Sequence, residues 1–127
     1  MDKSAQPQVE NCKAKSKTCA EQLEELEKST EYWELKKGPL PASCTSRGII
    51  AGCTDPTPVP GHGPGGTITF NPGDFAQAAK LAGVFVNSVF VITHEAAHAT
   101  GCATEPCSIR VENKARVEVG MPVRLIP

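Results

Sequence analysis

Between residues 5 and 34, Cys12, Cys19, Leu23, Leu26 and Trp33 recur near helical spacing, with Lys and Glu between them. That pattern predicts one long amphipathic helix, with Pro7 in its first turn and "KKGPLP" as its stop. The apolar stripe is narrow, so this helix is expected on the domain rather than at its centre. Proline and glycine make residues 53–66, "CTDPTPVPGHGPGG", a surface loop. "TITF" (67–70) alternates Thr with Ile and Phe, the pattern of a half-buried strand. "NPGD" turns the chain and offers Asp74 as a helix cap. From there to Thr100 the sequence suits one short helix followed by a longer one, with Gly101 as the stop. "CATEPC" reads as a loop and Ser108 to Val119 as a final helix, ended by Gly120 and Pro122. The tail "MPVRLIP" is expected to be extended. Helix outweighs strand, no repeat is present, and the fold class is α+β: a small helix-dominated domain with a short sheet.

The length of 127 residues fits one domain, 1–127, with an N-terminal helical part (1–40) and a part carrying the chemistry (67–119). A net charge of -1 leaves no basic excess to neutralise phosphates, so neither a nucleic-acid nor a membrane partner is expected. The longest apolar run, Leu81 to Thr93, is too short to span a bilayer and reads as a buried helix. "MDKSAQPQVE" lacks the apolar core of a secretory signal.

Six cysteines, at 12, 19, 44, 53, 102 and 107, change the picture. They form no CxxC pair, so disulfides are favoured over structural zinc and over buried thiols. Cys12 and Cys19 would lie roughly 10 Å apart on a continuous helix at ~1.5 Å per residue. A disulfide needs Cα atoms about 4.4 to 6.8 Å apart. Cys12 and Cys19 are therefore expected to reach Cys44 and Cys53, most simply as Cys12 to Cys53 and Cys19 to Cys44, and Cys102 is expected to pair with Cys107. Such bridges imply a secreted chain, or one delivered to an oxidising compartment such as the periplasm. Without a visible signal it reads as a fragment of a larger secreted protein or as cargo of another route.

"HEAAHATG" (94–101) carries the chemistry. On a helix, His94 and His98 share one face a turn apart and can converge on one metal. Glu95 projects beside them, placed to act on a water without binding the metal. Zinc would polarise a carbonyl and lower the pKa of a water towards ~7. Glu95, as base, would take the proton and pass it to the leaving amine. Composition alone yields this spacing in roughly one such sequence in two hundred, which disfavours coincidence. A third ligand is needed. His62, in "GHGPGG", reads as a solvated turn residue, whereas Glu112, heading "ENKAR" on the final helix, is the first choice. Glu105, in the loop before Pro106, comes second, and Glu118 reads as a solvated face. Tyr32, Arg110, Arg116 and His62 are candidate donors to an oxyanion, a role left open.

"HEAAH" followed by "ENKAR" resembles the zincin metallopeptidases whose third ligand is glutamate (gluzincin-like), over roughly residues 67–119. The resemblance implies zinc held by His94, His98 and Glu112, Glu95 as general base, and a peptide or protein substrate. It also implies that "TITF" is the edge strand beside the cleft. Arg116 departs from the family's pattern, which has an Asp there to orient a histidine, so that partner must come from elsewhere. The longer metzincin pattern fails because its third histidine is replaced by Thr104. The compact plan is also similar to small zincin-like toxin domains of bacterial secreted effectors, which implies a cognate inhibitor or immunity protein. The rival reading is a disulfide-stapled binding or adaptor module without catalysis.

Overall fold

A computed structural model describes residues 3–126. After a 3-10 turn (Lys3–Ala5), the chain forms α1 (Gln6–Lys15) and α2 (Lys17–Lys28) where one helix was expected. Ser16 causes the break. Its backbone is extended (φ -136°, ψ 120°), and its Oγ accepts the Cys19 N–H at 3.0 Å, capping α2. Serine competes for backbone partners in this way and so favours caps over helix interiors. The fold-back brings Cys12 and Cys19 to a Cα separation of 5.9 Å, and they pair with each other. The 10 Å objection held only for an unbroken helix. Cys44 pairs with Cys53, so both long-range bridges expected from the sequence are corrected, while Cys102 pairs with Cys107 as expected.

The predicted helix also ran too far. Trp33 lies on β1 (Tyr32–Lys37), which is followed by the short α3 (Ala42–Thr45), β2 (Gly52–Asp55) and β3 (Gly65–Phe70). The sheet order is β1-β3-β2, with β1 parallel to β3 from Tyr32↔Gly65 to Lys37↔Phe70. β2 is antiparallel to β3, from Gly52↔Phe70 to Asp55↔Thr67. β3 is therefore central rather than an edge, and Ile68, Thr69 and Phe70 are buried rather than half-buried. Its entry depends on Gly66, where a Cβ would strike the Asp55 carbonyl, Pro56 and Trp33.

A second 3-10 turn (Pro72–Asp74) is capped by Asn71, which accepts the Gly73 N–H at 3.2 Å, while Asp74 makes no side-chain cap. The two-helix reading that follows holds as α4 (Phe75–Ala82) and α5 (Ser88–Ala99), joined across Gly83 in the left-handed region. From Val89 to Ala97 every residue of α5 is buried. Such a helix, apolar on nearly all sides, belongs at the centre. It touches α1, α2, α6 (Glu105–Glu118), β2 and β3, sharing a core with Leu23, Leu35, Ile68 and Phe70. Helix accounts for 53% of the chain and strand for 13%, so the small α+β, disulfide-stapled class stands. Among the described residues no helix is long and apolar enough to cross a membrane. Three disulfides are the chemistry of an oxidising compartment.

Candidate metal centre

α5 begins where the Asn87 side chain accepts the Phe90 N–H at 3.1 Å, and it ends at Thr100. The chain then reverses through Gly101 (φ 133°). Thr104 caps α6 and Pro106 occupies its first turn. Glu105 is thus the first residue of a helix, not part of a loop, and its carboxylate is aimed back at the end of α5.

Both histidines present Nε2 to that carboxylate. His98 Nε2 lies 2.7 Å from Glu105 Oε1, and His94 Nε2 lies 3.2 Å from Glu105 Oε2. One donor atom from each of His94, His98 and Glu105 falls within 4.8 Å of the others, so the three can hold a metal ion. The opposite ring nitrogens are fixed too. His94 Nδ1 lies 2.9 Å from Glu112 Oε1, and His98 Nδ1 lies 2.8 Å from the Cys102 carbonyl. Both partners only accept, so the hydrogen sits on each Nδ1 and each Nε2 points at the cluster.

Glu112, the first choice for third ligand, is therefore not in the cluster. Its Oε1 meets His94 and Arg124 (3.1 Å), and its Oε2 receives Arg116 Nε at 2.7 Å. It supplies the histidine-orienting partner that the Arg116 departure had left open. Arg116 itself is 1% exposed, donates to the Phe85 carbonyl at 2.6 Å, and lies 4.2 Å over the Phe90 ring. It is a structural cation, which removes it from the oxyanion candidates. His62 stacks on Tyr32 with ring centroids 3.8 Å apart, and Arg110 is exposed. Neither histidine 62 nor Tyr32 joins the cluster.

Glu95 lies beside the metal-binding atoms, its Oε2 3.9 Å from His94 Nε2. Thr54 Oγ1, on β2, lies 2.9 Å from both Glu95 Oε1 and the Glu95 carbonyl. Ala51 (φ 72°) bends the backbone just ahead of β2, and Gly52 follows against α5. A Cβ on Gly52 would sit 2.5 Å from Val91 Cγ1 and 3.0 Å from Glu95 Cγ, so this close approach of β2 to α5 favours glycine. The residues that sequence reading missed are Thr54, Gly52 and Arg124, while it ranked Glu105 too low. The signal for Glu105 was present: Thr104 and Pro106 mark a helix start around it.

Electrostatics follow from the geometry. Burial pulls the His94 pKa down, but hydrogen bonds to Glu105 and Glu112 outweigh it and push the value up to about 9. His98 is raised mainly by its bond to Glu105. The same two histidines hold the Glu105 carboxyl well below the usual range. Burial raises Glu95. A cation binding between the two Nε2 atoms and Glu105 competes with any proton held there. The cluster opens onto a cleft of about 720 Å³. No protein-family model matches the chain, and neither does any curated protein or solved structure.

Proposed function

We propose that the chain is a zinc-dependent metallopeptidase in which His94, His98 and Glu105 hold the ion and Glu95 is the general base. One observation carries this reading: two Nε2 atoms and a carboxylate converge while both Nδ1 atoms are tied to acceptors. An ordinary buried ion pair has no need of such orientation, whereas metal-binding imidazoles depend on it. Two nitrogens and one carboxylate oxygen suit zinc and leave a coordination position for the reacting group. When bound, zinc would polarise the peptide carbonyl and acidify a water. Burial raises the Glu95 pKa, which favours its holding a proton taken from water, and Thr54 steadies one of its oxygens. Glu95 would draw a proton from water and deliver it to the departing amine. The three disulfides fit work in a compartment such as the periplasm, and a secreted effector or toxin domain, with an immunity protein as partner, is the setting we favour.

Zinc titration of purified variants tests the reading. One ion per chain is expected, with Glu105→Ala losing most of the affinity and Glu112→Ala weakening it by ~10 to 100-fold. Glu95→Gln should keep zinc and fold but hydrolyse mixed protein substrates ~100-fold more slowly or worse. Substoichiometric zinc after reconstitution, or full activity in Glu95→Gln, would sink the proposal.

A further inference from the structure

Residues 121–126, beyond α6, form no helix or strand, but the segment is clasped. The Arg124 N–H donates to Asn113 Oδ1 at 2.7 Å, and Asn113 Nδ2 donates to the Arg124 carbonyl at 2.9 Å. The Asn of "ENKAR" thus fixes one tail residue, and that residue lines the cleft. Its guanidinium makes a single protein contact among the described residues, from Nη1 to Glu112 Oε1 at 3.1 Å. Glu112 has no need of it: its other oxygen already faces the buried Arg116, and Oε1 already faces His94. Of the five N–H donors of Arg124, most stay available to the cleft.

The surroundings specify what they would meet. Leu81, Ala82, Val86 and Phe90 form an apolar wall of the same cleft, and Leu81 is 75% exposed with nothing over it. Three carboxylates line the cleft (Glu95, Glu105 and Glu112) against three guanidinium groups (Arg47, Arg116 and Arg124). A divalent ion therefore leaves the cleft positive and complementary to an anion.

We infer that Arg124 is a specificity-determining residue that recognises a carboxylate at the apolar C-terminal end of a peptide substrate, making the protein a carboxypeptidase. The inference rests on the metallopeptidase reading. Two hydrogen bonds and one imidazole ring separate the guanidinium from an ion on His94 Nε2, roughly 10 Å at most given a ~2 Å metal–nitrogen bond. With ~3 Å added for the bond from guanidinium to carboxylate, at ~3.4 Å per extended residue the carboxylate lies within about four residues of the cleaved bond. One to about four residues would be released per cut.

The test measures binding before turnover. Zinc-loaded full-length protein is titrated calorimetrically with N-acetylphenylalanine and with its amide. The acid should bind ~10 to 100-fold more tightly, the range of a charge-assisted hydrogen bond. In Arg124→Ala and Arg124→Gln the preference should shrink to less than ~3-fold, with zinc content and melting temperature retained, and Arg124→Lys should keep part of it. Equal binding of acid and amide, or a preference untouched in the variants, overturns the inference. Because zinc can also attract a carboxylate, only the part lost with Arg124 counts in its favour. Peptides with free or amidated C-termini, the latter with Glu or Gln near the end, then separate the two carboxylate sources. Cleavage of only the free forms supports the C-terminal group, whereas cleavage that follows Glu and ignores amidation overturns the exopeptidase assignment. Zinc-loaded protein that prefers the acid yet cleaves nothing would preserve Arg124 and defeat the peptidase reading, so the two failures are distinguishable.

Discussion

At the scale of single residues, a side chain that stays exposed, as its sequence suggests, can still join distant elements. Glu118, taken from the sequence as an exposed helix face, receives Ser16 Oγ at 2.6 Å, the Thr18 N–H at 3.0 Å and Thr18 Oγ1 at 2.7 Å. It completes the cap of α2 from the far end of α6, placing negative charge at a helix N-terminus. Partial burial pushes its pKa up, but the bonds from Ser16 and Thr18 outweigh that and hold it below its ordinary value of 4.5. A depressed folded-state value means the stabilisation is complete above the ordinary value and disappears as pH falls through the folded one. Glu118→Ala should therefore cost about 1 kcal/mol at neutral pH, as lost caps do. In urea unfolding, the gap between this variant and wild type should close on acidification. A gap of constant size down to acidic pH would show that Glu118 acts through packing rather than charge.

At the scale of elements, the α5–turn–α6 unit does most to build the candidate site. Cys102 holds His98 with its carbonyl, Glu105 lies inside the segment closed by the Cys102–Cys107 bridge, and Glu112 follows two turns later. The bridge thus fixes two of the groups around the cluster relative to each other. Cys102→Ser/Cys107→Ser should lower zinc affinity by ~10 to 100-fold, in addition to the roughly 2 kcal/mol of stability that so short a loop confers. Cys12→Ser/Cys19→Ser removes the bridge that closes a loop of similar size elsewhere and should cost similar stability while changing zinc affinity less than ~3-fold. If both pairs reduce zinc affinity alike, the local role of Cys102–Cys107 is refuted. The ends of α5 and α6 were readable because glycine and capping side chains act on their immediate neighbours, whereas the break between α4 and α5 was not located and the start of α6 at Glu105 was read as loop. β1 was not readable either, because Trp33 and Leu35 suit either period and only pairing with β3 makes that segment a strand.

At the scale of the whole molecule, α5 is the shared wall of the core and of the cleft, so metal and fold are coupled. The contacts of both histidines with Glu105 hold the cluster without an ion, and the apoprotein should remain folded. Zinc at 100 times its Kd adds about 2.7 kcal/mol, and stripping it should lower the melting temperature by on the order of 10 °C. Unfolding at room temperature on chelation, or no shift at all, would contradict this coupling. What the sequence determined by itself was what lies within a helical turn or a short loop. His94, Glu95 and His98 meet because four residues make about one turn, and Cys102 meets Cys107 because so short a loop closes at little entropic cost. The tertiary structure decided what depends on surfaces closing over one another. Ser16 breaks the N-terminal helix where its Oγ donates to Glu118 and accepts the Cys19 N–H, and Gly52 and Thr54 reach Glu95 only because β2 docks on α5. Glu105 rather than Glu112 faces the histidine Nε2 atoms because the packing angle of α6 on α5, fixed by many distant contacts, selects which carboxylate arrives at which nitrogen.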